Sequence, residues 1–248
     1  MFNKTTRILL LIMTMTVVFS SLSIAITPEE IINRRDDNEY VRSAKIESEM
    51  IIIKGNRKII KTMVSITDGK NALVEFINPL DRGTKFLKRD DNLFMFFPDA
   101  EDIVKISGHM LEQGIMGSDL SYKDIMESDK LTELYDFKIL REEEYQGRPC
   151  YVMEGIAREG AEVSYYRRVA WIDKERFIGL KEELYARSGR LLKVMKVDKV
   201  EEIEGRYYPT EYITEDKLIK NSRTIFRVKS INFNPEIPEN TFTLQNLN

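Results

Sequence analysis

The spacing of apolar residues changes character twice along the chain. Residues Ile8 to Phe19 are almost continuously apolar, ILLLIMTMTVVF, after a positive start at Lys4 and Arg7. Small residues follow at Ser23 and Ala25. A positive start, a short apolar run and small residues at −3 and −1 form the pattern of an export signal, so cleavage is expected after about Ala25. The run is short for a span of ~20 residues, and nothing later is long and apolar enough to cross a membrane as a helix.

A helix is expected next. Thr27 caps it, Pro28 suits the first helical position and Glu30 completes a capping box. Ile31 and Ile32 give it an apolar side, and it is expected to end near Asp37-Asn38.

From there the period falls to two. Lys45 to Met50 alternates charge with Ile46, Ser48 and Met50, as a strand with one wet face does. Lys54-Gly55-Asn56-Arg57 turns the chain into a return strand at 59–67. Asp68-Gly69 leads to a third strand at 71–77, which Asn78-Pro79 ends. Short strands are expected at 84–88, 93–97 and 103–106. The segment 107–118, with Gly108, Gly114 and Gly117, reads as a loop. Ser118 or Asp119 is expected to cap a helix reaching Met126, and Leu131 and Leu134 to lead into the next strand. Seven more strands follow, at 137–144, 148–157, 162–173, 176–186, 190–203, 206–216 and 221–233, separated by turns such as Gln146-Gly147 and Ser188-Gly189. This rhythm predicts a large antiparallel sheet or barrel, mainly β with a few helices (α+β). No break resembles a flexible linker, so 26–248 is expected to form one domain.

Composition narrows the chemistry. The 248 residues include 38 Lys+Arg, 41 Asp+Glu, one His and one Cys, for a net charge of −3. One Cys excludes an intrachain disulfide and a cysteine zinc cluster, and one His weighs against a His-based metal site or a Ser-His-Asp enzyme. Residues 1–25 hold Lys4 and Arg7 and no acid, so their removal takes the net charge to −5. An acidic chain gives no electrostatic reason to expect nucleic acid or a general attraction to anionic lipid. No phosphate-cradling or dinucleotide motif is present. His109 reads as a loop histidine, and Cys150 as a small core residue rather than a reactive thiol. Glu142-Glu143-Glu144 and Glu201-Glu202 read as solvated faces. Arg167-Arg168 reads as part of a cross-strand ion pair on the wet face.

The apolar residues are more telling. In Leu93-Phe94-Met95-Phe96-Phe97 both alternating faces are apolar, which an open sheet with one solvated face does not produce. Either both faces are covered, or one lines a hydrophobic cavity. Met116, Met126, Met153 and Met195 add side chains that adapt to irregular apolar ligands.

Several motifs then follow in order: Phe76-Ile77-Asn78-Pro79, Arg82-Gly83-Thr84, Phe86-Leu87, Phe97-Pro98, and Met116-Gly117-Ser118-Asp119-Leu120-Ser121-Tyr122-Lys123-Asp124. With the Thr27-Pro28-Glu29-Glu30 start and the closing Ile237 to Phe242, the series resembles the outer-membrane lipoprotein-sorting protein family, within the LolA/LolB-like carrier superfamily. The resemblance covers essentially all of 26–248. It implies a curved antiparallel sheet forming an unclosed half-barrel covered by helices, with acyl chains held between sheet and helices. It implies no catalysis and no cofactor.

On that reading the cavity lining is assigned to Met50, Ile52, Phe76, Phe86, Phe94, Phe96, Met116, Leu120, Tyr122, Met153, Tyr165 and Trp171. The motif positions are Pro79, Gly83, Pro98, Gly117, Ser118 and Asp119, and the helix beginning at Ser118-Asp119 is a candidate lid. The expected role is a periplasmic carrier of lipoprotein acyl chains or other lipid, passing cargo between an inner-membrane transporter and an outer-membrane acceptor. An adaptor or sensor that binds a membrane protein is the rival of another class. An exported hydrolase is a third, for which the sequence offers no motif.

Overall fold

The computed structural model describes residues 26–247, apart from Tyr40, Ser128 and Asp129. The expected export signal over 1–25 lies outside the described residues.

Helix α1 (Pro28–Glu39) opens the chain. Its first turn is capped as expected, with Glu30 N–H donating to Thr27 Oγ1 at 3.1 Å. Thirteen strands follow: β1 (Ala44–Lys54), β2 (Arg57–Thr67), β3 (Ala72–Phe76), β4 (Lys85–Arg89), β5 (Asn92–Phe97), β6 (Asp102–Ile106), β7 (Tyr135–Tyr145), β8 (Arg148–Ala157), β9 (Arg167–Asp173), β10 (Gly179–Tyr185), β11 (Leu191–Ile203), β12 (Arg206–Asp216) and β13 (Ser222–Phe233). Each matches one strand expected from the alternating pattern.

All thirteen form one antiparallel sheet, in the order β6-β5-β4-β3-β2-β1-β13-β12-β11-β10-β9-β8-β7. Two meanders therefore meet where the first strand pairs with the last, Met50 opposite Phe226 and Ile52 opposite Thr224. The outer strands β6 and β7 do not pair with each other, so the sheet is unclosed. Bulges at Glu47/Ser48, Leu184/Tyr185 and Val197/Lys199 add local twist to its long strands.

The connection between β6 and β7 crosses one face of the sheet. It carries two 3₁₀ turns (Gly108–Glu112 and Ile115–Gly117) and the short helices α2 (Tyr122–Met126) and α3 (Leu131–Leu134). Here the structure corrects the sequence reading. The helix starts at Tyr122, not after Ser118 or Asp119. Ser121 is its cap: its hydroxyl accepts from Asp124 N–H at 3.1 Å, and Asp124 Oδ2 accepts from Ser121 N–H at 2.7 Å. A reciprocal box satisfies two orphan donors and outcompetes a single upstream cap. Residues 131–134 form a helical turn before β7, and β9 begins at Arg167, five residues later than expected.

Both faces of the sheet are covered in places. On the inner face, Ile31 and Ile32 of α1 pack on Met153, Ala170 and Ile172. Gly155 is required beneath this layer, because a Cβ there would stand 2.6 Å from the Phe137 ring. On the outer face, Phe242 and Leu247 of the C-terminal segment cover Leu87, Phe94 and Phe96.

Candidate functional site

The inner face holds three adjoining hollows. The first, of about 220 Å³, lies over β1, β2, β3 and β13; Met50, Met63, Val74, Phe76, Phe86 and Phe226 line it, with Leu120 from the crossing segment. The second, also about 220 Å³, lies between α1 and strands β9 to β12, against Ile32, Ala170, Ile172, Met195 and Val197. Tyr208 and Tyr212 line both. These two hollows are mainly apolar.

A third hollow, of about 410 Å³, adjoins the second along Arg35, Glu39, Leu131, Glu182 and Met195, and the first at Leu120. Charged groups dominate its wall. Arg35 pairs with Asp36 at 3.0 Å and with Glu39 one turn along α1. Glu39 also accepts from Gly179 N–H at 2.8 Å. Burial pushes the Glu39 carboxyl above its ordinary range despite the Arg35 guanidinium beside it. Arg168 pairs with Glu182 at 3.4 Å and lies 4.7 Å over the Tyr135 ring. Among the described residues its Nε finds no hydrogen-bond partner. Tyr165 donates to Asp124 at 2.6 Å, and Asp124 also pairs with Lys193. Burial, reinforced by Asp124, holds the Tyr165 phenol well above its usual range. The Glu39–Gly179, Tyr165–Asp124 and Asp124–Lys193 contacts join segments distant in sequence.

The expected lining residues take several different places. Met50, Phe76, Phe86 and Leu120 line the first hollow. Ile52, Met116 and Tyr122 pack in the cluster around it, with the Tyr122 ring 5.5 Å from Phe86 and the Phe76 ring 5.9 Å from Phe86. Tyr165 lines the polar hollow. Met153 is on the inner face but fully buried under α1.

Phe94, Phe96 and Trp171 do not face the hollows. Leu93 and Met95 of β5 join the inner cluster, which sends Phe94 and Phe96 to the outer face beneath the C-terminal segment. In β9, Ala170 and Ile172 face α1, so Trp171 points outward to Val152, with Lys181 4.0 Å above its ring. Arg168 departs from expectation too. Its neighbour Arg167 makes the cross-strand pair, to Glu154 at 3.0 Å, whereas Arg168 is buried on the inner face. The outer face is also where Cys150 lies fully buried, its thiol pushed up to about 11 by burial. His109 is exposed in the first 3₁₀ turn.

The motif builds the loop that closes the first hollow. Pro79 is exposed in the β3–β4 turn, where Gly83 (φ +82°) lies against Pro98. A Cβ on Gly114 would stand 2.1 Å from the Ser118 carbonyl oxygen, so only glycine closes this loop; Met116 (φ +49°) and Gly117 (φ +83°) complete it. Asp119, fully inside, is locked to β13: its Oδ2 accepts from the Thr224 hydroxyl at 2.6 Å, and its N–H donates to Thr224 Oγ1 at 2.9 Å. Ser118 and Asp119 are thus anchors of the covering segment.

The sequence reading missed Tyr208, Tyr212, Phe226, Arg35, Glu39 and Glu182. The alternation Tyr208-Thr210-Tyr212-Thr214 on β12 was a legible signal for two of them.

A family model described as "uncharacterized protein"-like matches residues 68–248. Among curated proteins the chain finds no match. Solved structures share the fold, among them the following three. A DUF1329 family protein from Desulfovibrio piger ATCC 29098 is 25% identical, covers 90% of this chain and 100% of its own, and superposes with a TM-score of 0.81. An outer membrane lipoprotein-sorting protein domain from Vibrio parahaemolyticus is 24% identical over 89% of this chain and 97% of its own, with a TM-score of 0.76. A LolA superfamily protein from Nitrosomonas europaea is 22% identical over 90% of this chain and 100% of its own, with a TM-score of 0.74. The unclosed, mainly β architecture expected from the sequence is the fold of these proteins.

Proposed function

The chain belongs to the family whose model spans residues 68–248, and on that premise we propose that it is a non-enzymatic periplasmic carrier that holds the acyl chains of a lipoprotein or lipid. The observation that carries this reading is the inner face itself. Two mainly apolar hollows flank a charged one within a single covered surface, under a fold shared with a lipoprotein-sorting domain.

Each region has a part. Acyl chains lie against Met50, Met63, Val74, Phe76, Phe86 and Phe226, and each buried methylene contributes ~0.8 kcal/mol. The polar end of the cargo rests in the charged hollow, whose wall includes Arg35 and the Arg168–Glu182 pair. The Ile115–Met126 segment is the cover, and Asp119–Thr224 is its latch. Residues 26–248 act as one domain, loaded and unloaded by partners at the inner and outer membranes, because burial alone would trap the cargo.

Uptake of a fluorescent acyl probe by delipidated protein tests this. Val74 and Phe226 are only half-buried, so Val74→Asp or Phe226→Asp is compatible with folding while placing a charge in the hollow. Saturable uptake near one probe per chain, abolished in both variants, is the expected result. Absence of uptake by the folded wild-type chain overturns the carrier.

A further inference from the structure

We propose that one end of the sheet docks on an anionic phospholipid surface, through the hairpin tips at 54–60, 186–190 and 217–223. This surface lies outside the three inner hollows and does not depend on their contents.

The three tips are neighbours, because β2-β1-β13-β12-β11-β10 run side by side and their connections emerge at the same end. Gly55 N–H donates to the Asn221 carbonyl at 2.9 Å, and Lys54 is paired opposite Ser222. At the other side, Lys193 is paired opposite Asp216. The first tip exposes Lys54, Arg57 and Lys58, the second Arg187 and Arg190, and the third Lys217, Lys220 and Arg223. None of the three segments contains an acidic residue. Lys217 is partly offset by Glu215 at 2.6 Å. Acidic turns at 99–102 and 159–162 lie to either side, so the basic stretch is confined to the middle strands. At the opposite end the turns mix signs: Asp68 stands with Lys70, Asp90 and Asp91 with Arg89, and Glu204 with Arg206, and Lys70 pairs with Asp90 at 2.6 Å. The acid-free run of basic side chains is thus a patch across the three middle tips of one end.

Exposed aliphatic side chains share that end. Ile59 and Ile60 are each 48% exposed, Leu218 50% and Ile219 45%, and Leu80 in the neighbouring β3–β4 turn is 94% exposed. Branched aliphatics at a sheet end beside Lys and Arg fit a lipid interface: the charges meet headgroups and the aliphatics enter the acyl boundary. An acidic protein partner would use the charges but gives no reason to expose aliphatics both at the start of β2 and on two separate turns. The docked end also adjoins the cover. A hollow of about 260 Å³ is lined by Lys54, Leu218 and Ile219 from the tips and by Gly117, Ser118 and Asp119 from the motif loop.

The test is flotation of the chain from residue 26 onward with vesicles of phosphatidylcholine alone or with 30% phosphatidylglycerol. Binding to the anionic vesicles, weakened by high salt, is expected. Lys54→Gln/Arg57→Gln/Lys58→Gln should lower partitioning by about 100-fold, and Ile59→Ser/Ile60→Ser should lower it at every salt concentration. Acyl-probe uptake in solution should survive both sets, and Val74→Asp should still float, which separates docking from carriage. Equal flotation with neutral and anionic vesicles, or unaltered flotation of the glutamine variant, overturns the proposal. So does loss of flotation alongside salt-sensitive capture of an acidic protein at these tips.

Discussion

Phe86→Ala separates the two roles of the inner wall. Phe86 is 2% exposed, lies in edge contact with Phe76 and packs on Tyr122. Removing a ring so fully enclosed should cost ~3–5 kcal/mol of folding free energy. Its space does not become an isolated void, because the side chain borders the first hollow. The hollow should lengthen instead. Each methylene the vacated space accepts is worth ~0.8 kcal/mol, close to fourfold in Kd. Stability and affinity should therefore move in opposite directions, and the acyl length that binds best should increase. Chemical denaturation of the delipidated protein gives the first quantity, and titration with acyl probes of increasing length gives the second. Saturating ligand at 100 times its Kd should restore ~2.7 kcal/mol. A stability loss below ~1 kcal/mol, or weaker binding at every chain length, would refute the placement of Phe86 in a cargo wall.

Three further outcomes follow from other parts of the molecule. Asp173 is fully buried; burial alone would raise its carboxyl, but a two-point bond from Arg148 at 2.7 and 3.1 Å and the N–H groups of Glu175 and Arg176 hold it below the usual range. A lowered folded pKa gives stability that is complete above the unfolded value of ~3.9 and lost as pH falls through the folded value. Asp173→Asn should remove that part of the acid limb and cost ~3 kcal/mol at pH 7, measured by denaturation at several pH values. Thr224→Val leaves both Asp119 groups without their partner, so ~1–3 kcal/mol should be lost and the 115–126 segment should exchange its amide hydrogens faster. Phe94→Ala and Trp171→Ala should lower the melting temperature yet leave acyl-probe affinity within twofold, because both side chains face outward; a parallel loss of affinity would contradict the face assignment.

The strands were legible because alternation and turn residues are local signals. Every strand expected from period two is present, and Pro79, Gly83 and Gly114 close turns that their chemistry suits. The faces were less legible where both were apolar. Phe94 and Phe96 looked as eligible as Leu93 and Met95, because the residues that cover them, Phe242 and Leu247, lie far along the chain near its described end. A shift of one position reverses every side chain of a strand, and only tertiary contacts fix it. The charged hollow was illegible for the same reason: Arg35 with Glu39 is local, but Arg168 with Glu182 and Asp124 with Lys193 meet only once β9 to β11 and the crossing segment are assembled. Likewise, the net charge concealed a basic patch that emerges when three distant hairpins are brought side by side.

Mass spectrometry of the protein isolated from its native compartment under non-denaturing conditions tests the central claim most directly. The account predicts a co-purifying acyl lipid or lipoprotein near one per chain, displaced by a competing acyl ligand and missing from Val74→Asp. Recovery of the folded chain free of lipid, whether alone or joined to a membrane protein, would contradict it.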